Sequence, residues 1–144
     1  MTIAAILRHK GHDVAAVLPT ASIAEVTKVL ADRRIGAVLV SDAVRQVLGI
    51  LSERDIVANL AVHGARTLEM SAGQLMTTAL KTAGPETTVA EAMSIMTEGR
   101  FRHLPIMEHG TLIGLVSIGD IVKARIMQQE SEVDSLKAYV SGAA

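Results

Sequence analysis

Cysteine and tryptophan are absent from this sequence, and Phe101 and Tyr139 are its only aromatic residues. Without cysteine there is no disulfide framework, no thiolate metal site and no thiol nucleophile. Without aromatics there is no stacking platform of the kind that single-stranded nucleic acid and sugar sites use. The core must therefore be assembled from Val, Ile, Leu, Met and Ala. Charge excess is missing too: 14 basic and 15 acidic residues leave a net charge of −1, which offers no attraction for DNA, RNA or an anionic membrane surface. Apolar runs such as residues 37–40 are far too short to cross a bilayer. Arg8 and Lys10 interrupt the N-terminal apolar stretch before a secretory segment can form. These absences read as a cytoplasmic protein with no membrane or nucleic acid partner. What is plentiful is aliphatic: 49% of the 144 residues are hydrophobic and 20% charged, which excludes intrinsic disorder. A chain of this length buries about 70% of its unfolded surface, so a self-sufficient core is expected.

An internal duplication organises the chain. Pro19-Thr20-Ala21-Ser22-Ile23-Ala24-Glu25 matches Pro85-Glu86-Thr87-Thr88-Val89-Ala90-Glu91, and Gly49-Ile50-Leu51-Ser52-Glu53-Arg54-Asp55 matches Gly114-Leu115-Val116-Ser117-Ile118-Gly119-Asp120. The two matches keep their order and differ by one residue in spacing. That difference falls in loops 41–46 and 107–110, where an indel is best tolerated.

Each repeat reads as β-α-β-β-α, an α/β (α+β) pattern with helices covering sheet. Residues 14–18 and 79–83 are extended candidates ahead of Pro19 and Pro85, because the residue before a proline favours extended backbone. Ser22 and Thr88 are N-cap candidates. Ile23, Val26, Val29 and Leu30, and in the second repeat Val89, Ala92, Met93 and Met96, recur at amphipathic helical spacing. Strands over 36–40 and 103–107, a polar turn, and strands over 47–51 and 112–116 follow as hairpins. Second helices open at Ser52 and Ser117. Residues 3–7 and 72–76 are equivalent helical lead-ins, and 63–71 is a linker. The expected divisions are 1–65, 66–128 and a helical tail, 129–144. Neither small sheet is comfortable alone, so the two units are expected to pack with pseudo-two-fold symmetry and to form two clefts.

The motif that carries chemistry is Gly-h-h-Ser-x-x-Asp, with h apolar, at Gly49 and again at Gly114. It has two readings. A helix N-terminus and a serine hydroxyl attract phosphate, and an ionised aspartate accepts strong hydrogen bonds from vicinal ribose hydroxyls. Equally, Ser-x-x-Asp is an ordinary capping box worth about 1 kcal/mol. The residue pattern alone leaves both open.

The pattern of Pro-x-x-Thr/Ser helices, the strand Leu104-Pro105-Ile106, the glycine-bearing hairpins and Ser-x-x-Asp resembles the cystathionine-β-synthase (CBS) domain in both halves. The stretch from Arg100 through Asp120 resembles small stand-alone bacterial CBS-pair proteins (Bateman modules). That resemblance implies a non-catalytic regulatory module. Its ligand would be AMP or another adenine nucleotide, ATP or NAD(H), held in clefts where each repeat completes the other's site. Carried over, one site takes Ile50, Ser52, Arg54 and Asp55 with Lys81, Phe101, Arg102 and His103. The other takes Ser117, Gly119 and Asp120 with Ala15, Gly36 and Ala37. The first has the more basic surroundings and is expected to tolerate more phosphate. The second faces small neutral residues and draws its cation from elsewhere, with Lys10 a candidate.

Other chemistries find no support. His9 and His12 are three apart without an acidic or cysteine partner, so no metal is expected. No Gly-x-Ser-x-Gly elbow surrounds Ser52 or Ser117. From 121 to about 139 no Gly or Pro interrupts a helical pattern in which Val122, Ile126, Val133, Leu136 and Val140 follow 4-then-3 spacing, with Gln129 at one seam position. An intersubunit seam in a homodimer and a helix folded back on its own domain are both compatible with it. The expected function is an energy or redox sensor acting through an unidentified regulated protein or its own assembly. The alternative is a scaffolding dimer without a nucleotide.

Overall fold

The computed structural model describes residues 1–44 and 46–142. Arg45 of the expected hairpin loop and the last two residues of the expected tail lie outside them. The elements run α1 (Ile3–Lys10), β1 (Ala16–Val17), α2 (Ile23–Arg33), β2 (Ala37–Ser41), β3 (Val47–Ser52), α3 (Glu53–His63), a 3-10 turn (Gly64–Glu69), α4 (Ala72–Leu75), α5 (Val89–Gly99), β4 (His103–Glu108), β5 (Thr111–Ser117) and α6 (Ile118–Val140). The class is α+β, as expected. Among the described residues no helix is long and apolar enough to cross a membrane.

The chain divides into two compact units, and they are not the contiguous repeats. One unit is Asp13–Leu80; the other joins Met1–His12 to the chain from Lys81 onward. Each repeat body is therefore completed by the lead-in that precedes the other repeat. Backbone hydrogen bonds show the equivalence. In the first unit Ala72 N and Gly73 N donate to Ala21 O and Pro19 O at 2.8 and 2.9 Å, and Ile23 N donates to Met70 O at 2.8 Å. In the second, Ile3 N and Ala4 N donate to Thr87 O and Pro85 O at 2.9 and 2.8 Å, and Val89 N donates to Met1 O at 3.0 Å. The same three bonds join each lead-in to the loop before the first helix of the body on which it packs.

Unit Asp13–Leu80 has a three-stranded sheet in the order β1-β2-β3, with β1 parallel and β3 antiparallel to β2. Ser22 caps α2 by accepting from Glu25 N at 3.1 Å. The buried face of α2, Ile23, Val26 and Leu30, packs with Val38, Val40, Leu51 and Ile56. The other unit pairs β4 with β5 antiparallel. Thr88 caps α5 in the same way, and Val89, Ala92 and Met96 meet Leu104, Ile106, Val116 and the α1 residues Ile3, Ile6 and Leu7.

The extended segment expected over 79–83 does not become a strand. It shrinks to one parallel bridge between Ala83 and Ile106, just ahead of a turn in which Thr87 N donates to Gly84 O at 3.2 Å and Gly84 N to Thr87 Oγ1 at 3.2 Å. The equivalent turn in the first unit starts at Leu18, whose carbonyl accepts from Ala21 N. There two residues, Ala16 and Val17, pair with Leu39 and Val40, and the position equivalent to Thr87 is Ala21, which has no side-chain oxygen.

The motif glycines have a packing reason. A Cβ on Gly49 would lie 2.8 Å from the Thr77 carbonyl oxygen, and one on Gly114 would lie 2.6 Å from a Leu7 methyl. Both positions are where a lead-in or its sequel lies directly on the second hairpin strand.

Candidate functional site

Both Ser-x-x-Asp motifs fold as complete capping boxes. At α3, Ser52 Oγ accepts from Asp55 N at 3.3 Å, while Asp55 Oδ2 accepts from Ser52 N at 2.9 Å and from Ser52 Oγ at 3.0 Å. At α6, Ser117 Oγ accepts from Asp120 N at 3.1 Å and Asp120 Oδ2 accepts from Ser117 N at 2.9 Å. The strand–helix junction behind each box is also shared. Glu53 N donates to Gly36 O at 2.9 Å, and Ile118 N donates to Arg102 O at 2.8 Å. The residue preceding the first hairpin strand thus receives the first amide of the second helix in both bodies.

The capping reading is therefore realised, yet it leaves the acids able to do more. A carboxylate offers about four lone-pair sites. Among the described residues the bonds to both aspartates fall on Oδ2 and none on Oδ1. Both aspartates are half-buried at the opening turn of a helix, where an anion is favoured by the helix dipole.

The second acid differs from the first in having a cation. Lys10, at the end of α1, places Nζ 2.6 Å from Asp120 Oδ2 and 2.7 Å from the Leu115 carbonyl oxygen. Burial alone would raise the Asp120 carboxyl; the bond from Lys10 and the bonds from Ser117 outweigh it, and the group sits below the ordinary value of 3.8. Lys10 and Asp120 also end a groove of about 440 Å³ between α1 and α6, where Lys123 adds positive charge beside His9, Ile6 and Met127. Of these residues sequence reasoning singled out only Lys10 and Asp120 for a site; Lys123 had no motif to mark it. A second cavity, of about 480 Å³ in unit Asp13–Leu80, brings Arg34 and Glu53 beside Gly36. Glu53 was weighed in the sequence with Asp55 as an acid pair and set aside, because the two point different ways from a helix start, while Arg34 had no motif to mark it.

The remaining expected site residues divide by unit. Ala15, Gly36, Ala37, Ile50, Ser52, Arg54 and Asp55 lie in Asp13–Leu80; Lys81, Phe101, Arg102, His103, Ser117, Gly119 and Asp120 lie in the other. Ala15 and Ile50 have their backbone in use: Ala15 O accepts from Leu39 N, and Ile50 exchanges both hydrogen bonds with Thr77. Ala37 is buried opposite Ser52 in the β2–β3 ladder, and His103 stands opposite Ser117 in β4–β5. Phe101 packs against the core of its unit. Arg54, Lys81, Arg102 and Gly119 are exposed. His12, weighed with His9 as a metal ligand, bonds through Nδ1 to the Ile113 carbonyl oxygen at 2.7 Å. Among the described residues no His, Cys, Asp and Glu group could hold a metal ion.

Comparison with known proteins places this geometry. Residues 5–62 and 72–126 match the CBS domain family. The mitochondrial CBS domain-containing protein CBSX3 of Arabidopsis thaliana is 36% identical over 125 residues, which is 84% of this chain and 61% of that protein. The chain thus spans about three fifths of that relative's length. A crystal structure of a CBS-domain protein from Agrobacterium tumefaciens superposes with a TM-score of 0.85 at 45% identity, covering 86% of this chain and 92% of the other. CBSX2, crystallised in complex with AMP, shares the fold with a TM-score of 0.70 at 24% identity, covering 83% and 92% of the two chains.

Proposed function

Because this chain belongs to the CBS-domain family, in which both of its repeats are matched, we propose that it is a non-catalytic regulatory module that binds adenine nucleotides in clefts completed by both repeats. The observation that carries the reading is the pair of Ser-x-x-Asp boxes, alike in geometry and each with a carboxylate oxygen at a helix start that no other described residue engages. That oxygen accepts the ribose hydroxyls, and the opening turn of the helix faces the phosphate. The AMP complex of CBSX2 supports the choice of an adenine nucleotide.

The two sites differ in charge. The Asp55 site draws on Arg54 with Lys81, Arg102 and His103 and takes the longer phosphate chain of ATP or NAD(H). The Asp120 site, with Ala15, Gly36 and Ala37 around the base, uses Lys10 as its cation, bridging carboxylate and phosphate, and suits a monophosphate. Output passes through a regulated partner protein or through the chain's own assembly as a homodimer. A second reading, a scaffolding dimer with no nucleotide, is favoured by one observation: both capping boxes are complete without a ligand.

Thermal shift of the purified chain against AMP, ATP, NADH and S-adenosylmethionine separates the two, since a ligand of the native state raises apparent stability. The nucleotide reading predicts a rise of about 2.7 kcal/mol in stability at a hundredfold excess over Kd, with Lys81→Ala and Arg102→Ala weakening ATP more than AMP. No shift with any of the four favours the scaffold.

A further inference from the structure

From Arg125 on, α6 buries nothing in its own unit. Its buried residues are Ile121 and Ala124 alone, although the helix continues for 23 residues to Val140, about 35 Å in all. Along this stretch Ile126, Val133, Leu136 and Val140 are 50%, 50%, 63% and 76% exposed. Apolar side chains spaced this way on one face of a solvated helix mark an interaction surface. They do not fold back, so the intramolecular option for the tail is overturned for the described residues.

We infer that this face is a parallel two-stranded coiled-coil seam with a second copy of the chain. The 4-then-3 spacing puts Ile126, Val133 and Val140 at positions a, and Val122, Gln129 and Leu136 at positions d. β-Branched residues at a with Leu at d favour two parallel strands, and one polar core position fixes the register. The flanking charges select the orientation. Arg125 and Glu132 fall at g, and Lys123, Glu130 and Lys137 at e. In a parallel pair each g residue faces the e residue of its partner's next heptad. Arg125 then meets the partner's Glu130, and Glu132 meets the partner's Lys137. An antiparallel pair overlapping the whole stretch would instead set Glu130 against the partner's Glu130, Glu132 against the partner's Glu132 and Lys123 against the partner's Lys137. Within the chain none of these charges is in a salt bridge, the one among the described residues being Lys10–Asp120; Glu132 accepts only a 3.5 Å hydrogen bond from Gln128 Nε2. The a and d residues of the seam are not among the α6 residues that line the groove with α1, which are Asp120, Lys123, Ala124 and Met127; Lys123, at an e position, borders both. It names the surface for the self-association proposed above and does not depend on a nucleotide.

Single cysteines in the full chain test it, since the sequence has none of its own. Mild oxidation of Leu136→Cys should give a covalent dimer, while Ser131→Cys, on the outward face of the same helix, should not. Adding Glu132→Lys to Leu136→Cys should lower the dimer yield about tenfold, and adding Lys137→Glu as well should restore it. Linking of Leu136→Cys no better than Ser131→Cys, or a yield indifferent to Glu132→Lys, overturns the parallel seam. Native mass of the unmodified chain separates the two ideas: a dimer without the Leu136 link leaves self-association standing on another surface, and a monomer overturns both.

Discussion

Lys10 and Asp120 stand 110 positions apart in the chain, yet ammonium and carboxylate meet at 2.6 Å. The contact gives Asp120 a folded-state pKa below its ordinary 3.8, because the bonds from Lys10 and Ser117 outweigh the burial that would raise it. A depressed carboxyl stabilises the fold at pH above its unfolded value and loses that contribution as pH falls through the folded one. Lys10→Met removes the ammonium and leaves burial dominant, so the Asp120 carboxyl should rise in a titration followed by NMR. The variant should be less stable than the parent by up to about 1 kcal/mol above the carboxylate range, the pair being half solvated. In thermal melts the difference should close as acid protonates Asp120; a pH-independent difference would assign the effect to packing instead. The capping serines and threonine, Ser22, Ser52, Thr88 and Ser117, were legible because a cap is written within four residues of sequence. Lys10 was legible only as a lone cation, since no local pattern encodes which helix face meets a carboxylate from the far end of the chain.

At the scale of elements, the exchanged lead-ins carry the most consequence. Ile3 and Leu7 on α1 are 0% and 1% exposed in the core built on the second repeat. Leu7→Ala should therefore cost about 2–5 kcal/mol, read as a lower midpoint in urea, although the residue lies far in sequence from the core it fills. A surface-like change below about 0.5 kcal/mol would mean that α1 is not part of that core in solution. The equivalence of residues 3–7 and 72–76 was visible in the repeats, whereas their exchange was not: periodicity reports which face of a helix is apolar, never which sheet it covers. The hairpin strands were read within one residue of their ends, and the second helices open at the serines expected to start them. The extended segment before Pro85 pairs at Ala83 alone; the same backbone turn follows the strand of the first unit, and the difference seen is that Thr87 Oγ1 also holds Gly84 N.

At the scale of the whole molecule, two bodies of one design have come to differ in charge around a shared motif. Asp120 carries its own lysine, while among the described residues the Asp55 carboxylate is bonded by Ser52. Family membership was recognisable from the two motifs in register. The division of each proposed site between units had to come through that resemblance, because residues of separate units share no local signal. The central claim is that the duplicated acids bind the ribose of an adenine nucleotide. Asp55 and Asp120 are the third helical residues of boxes capped by Ser52 and Ser117, and an Asn amide oxygen there can still accept from the serine N–H, so Asp55→Asn with Asp120→Asn should keep both helix starts while losing the ionised acceptors. Isothermal calorimetry of AMP into the parent chain and this folded double variant is the direct test. Saturable binding by the parent that weakens at least tenfold in the variant, as the loss of about 1.5–3 kcal/mol per charged hydrogen bond requires, is the expected result. Equal affinity in the two proteins, or no binding of AMP by the parent, would contradict the claim.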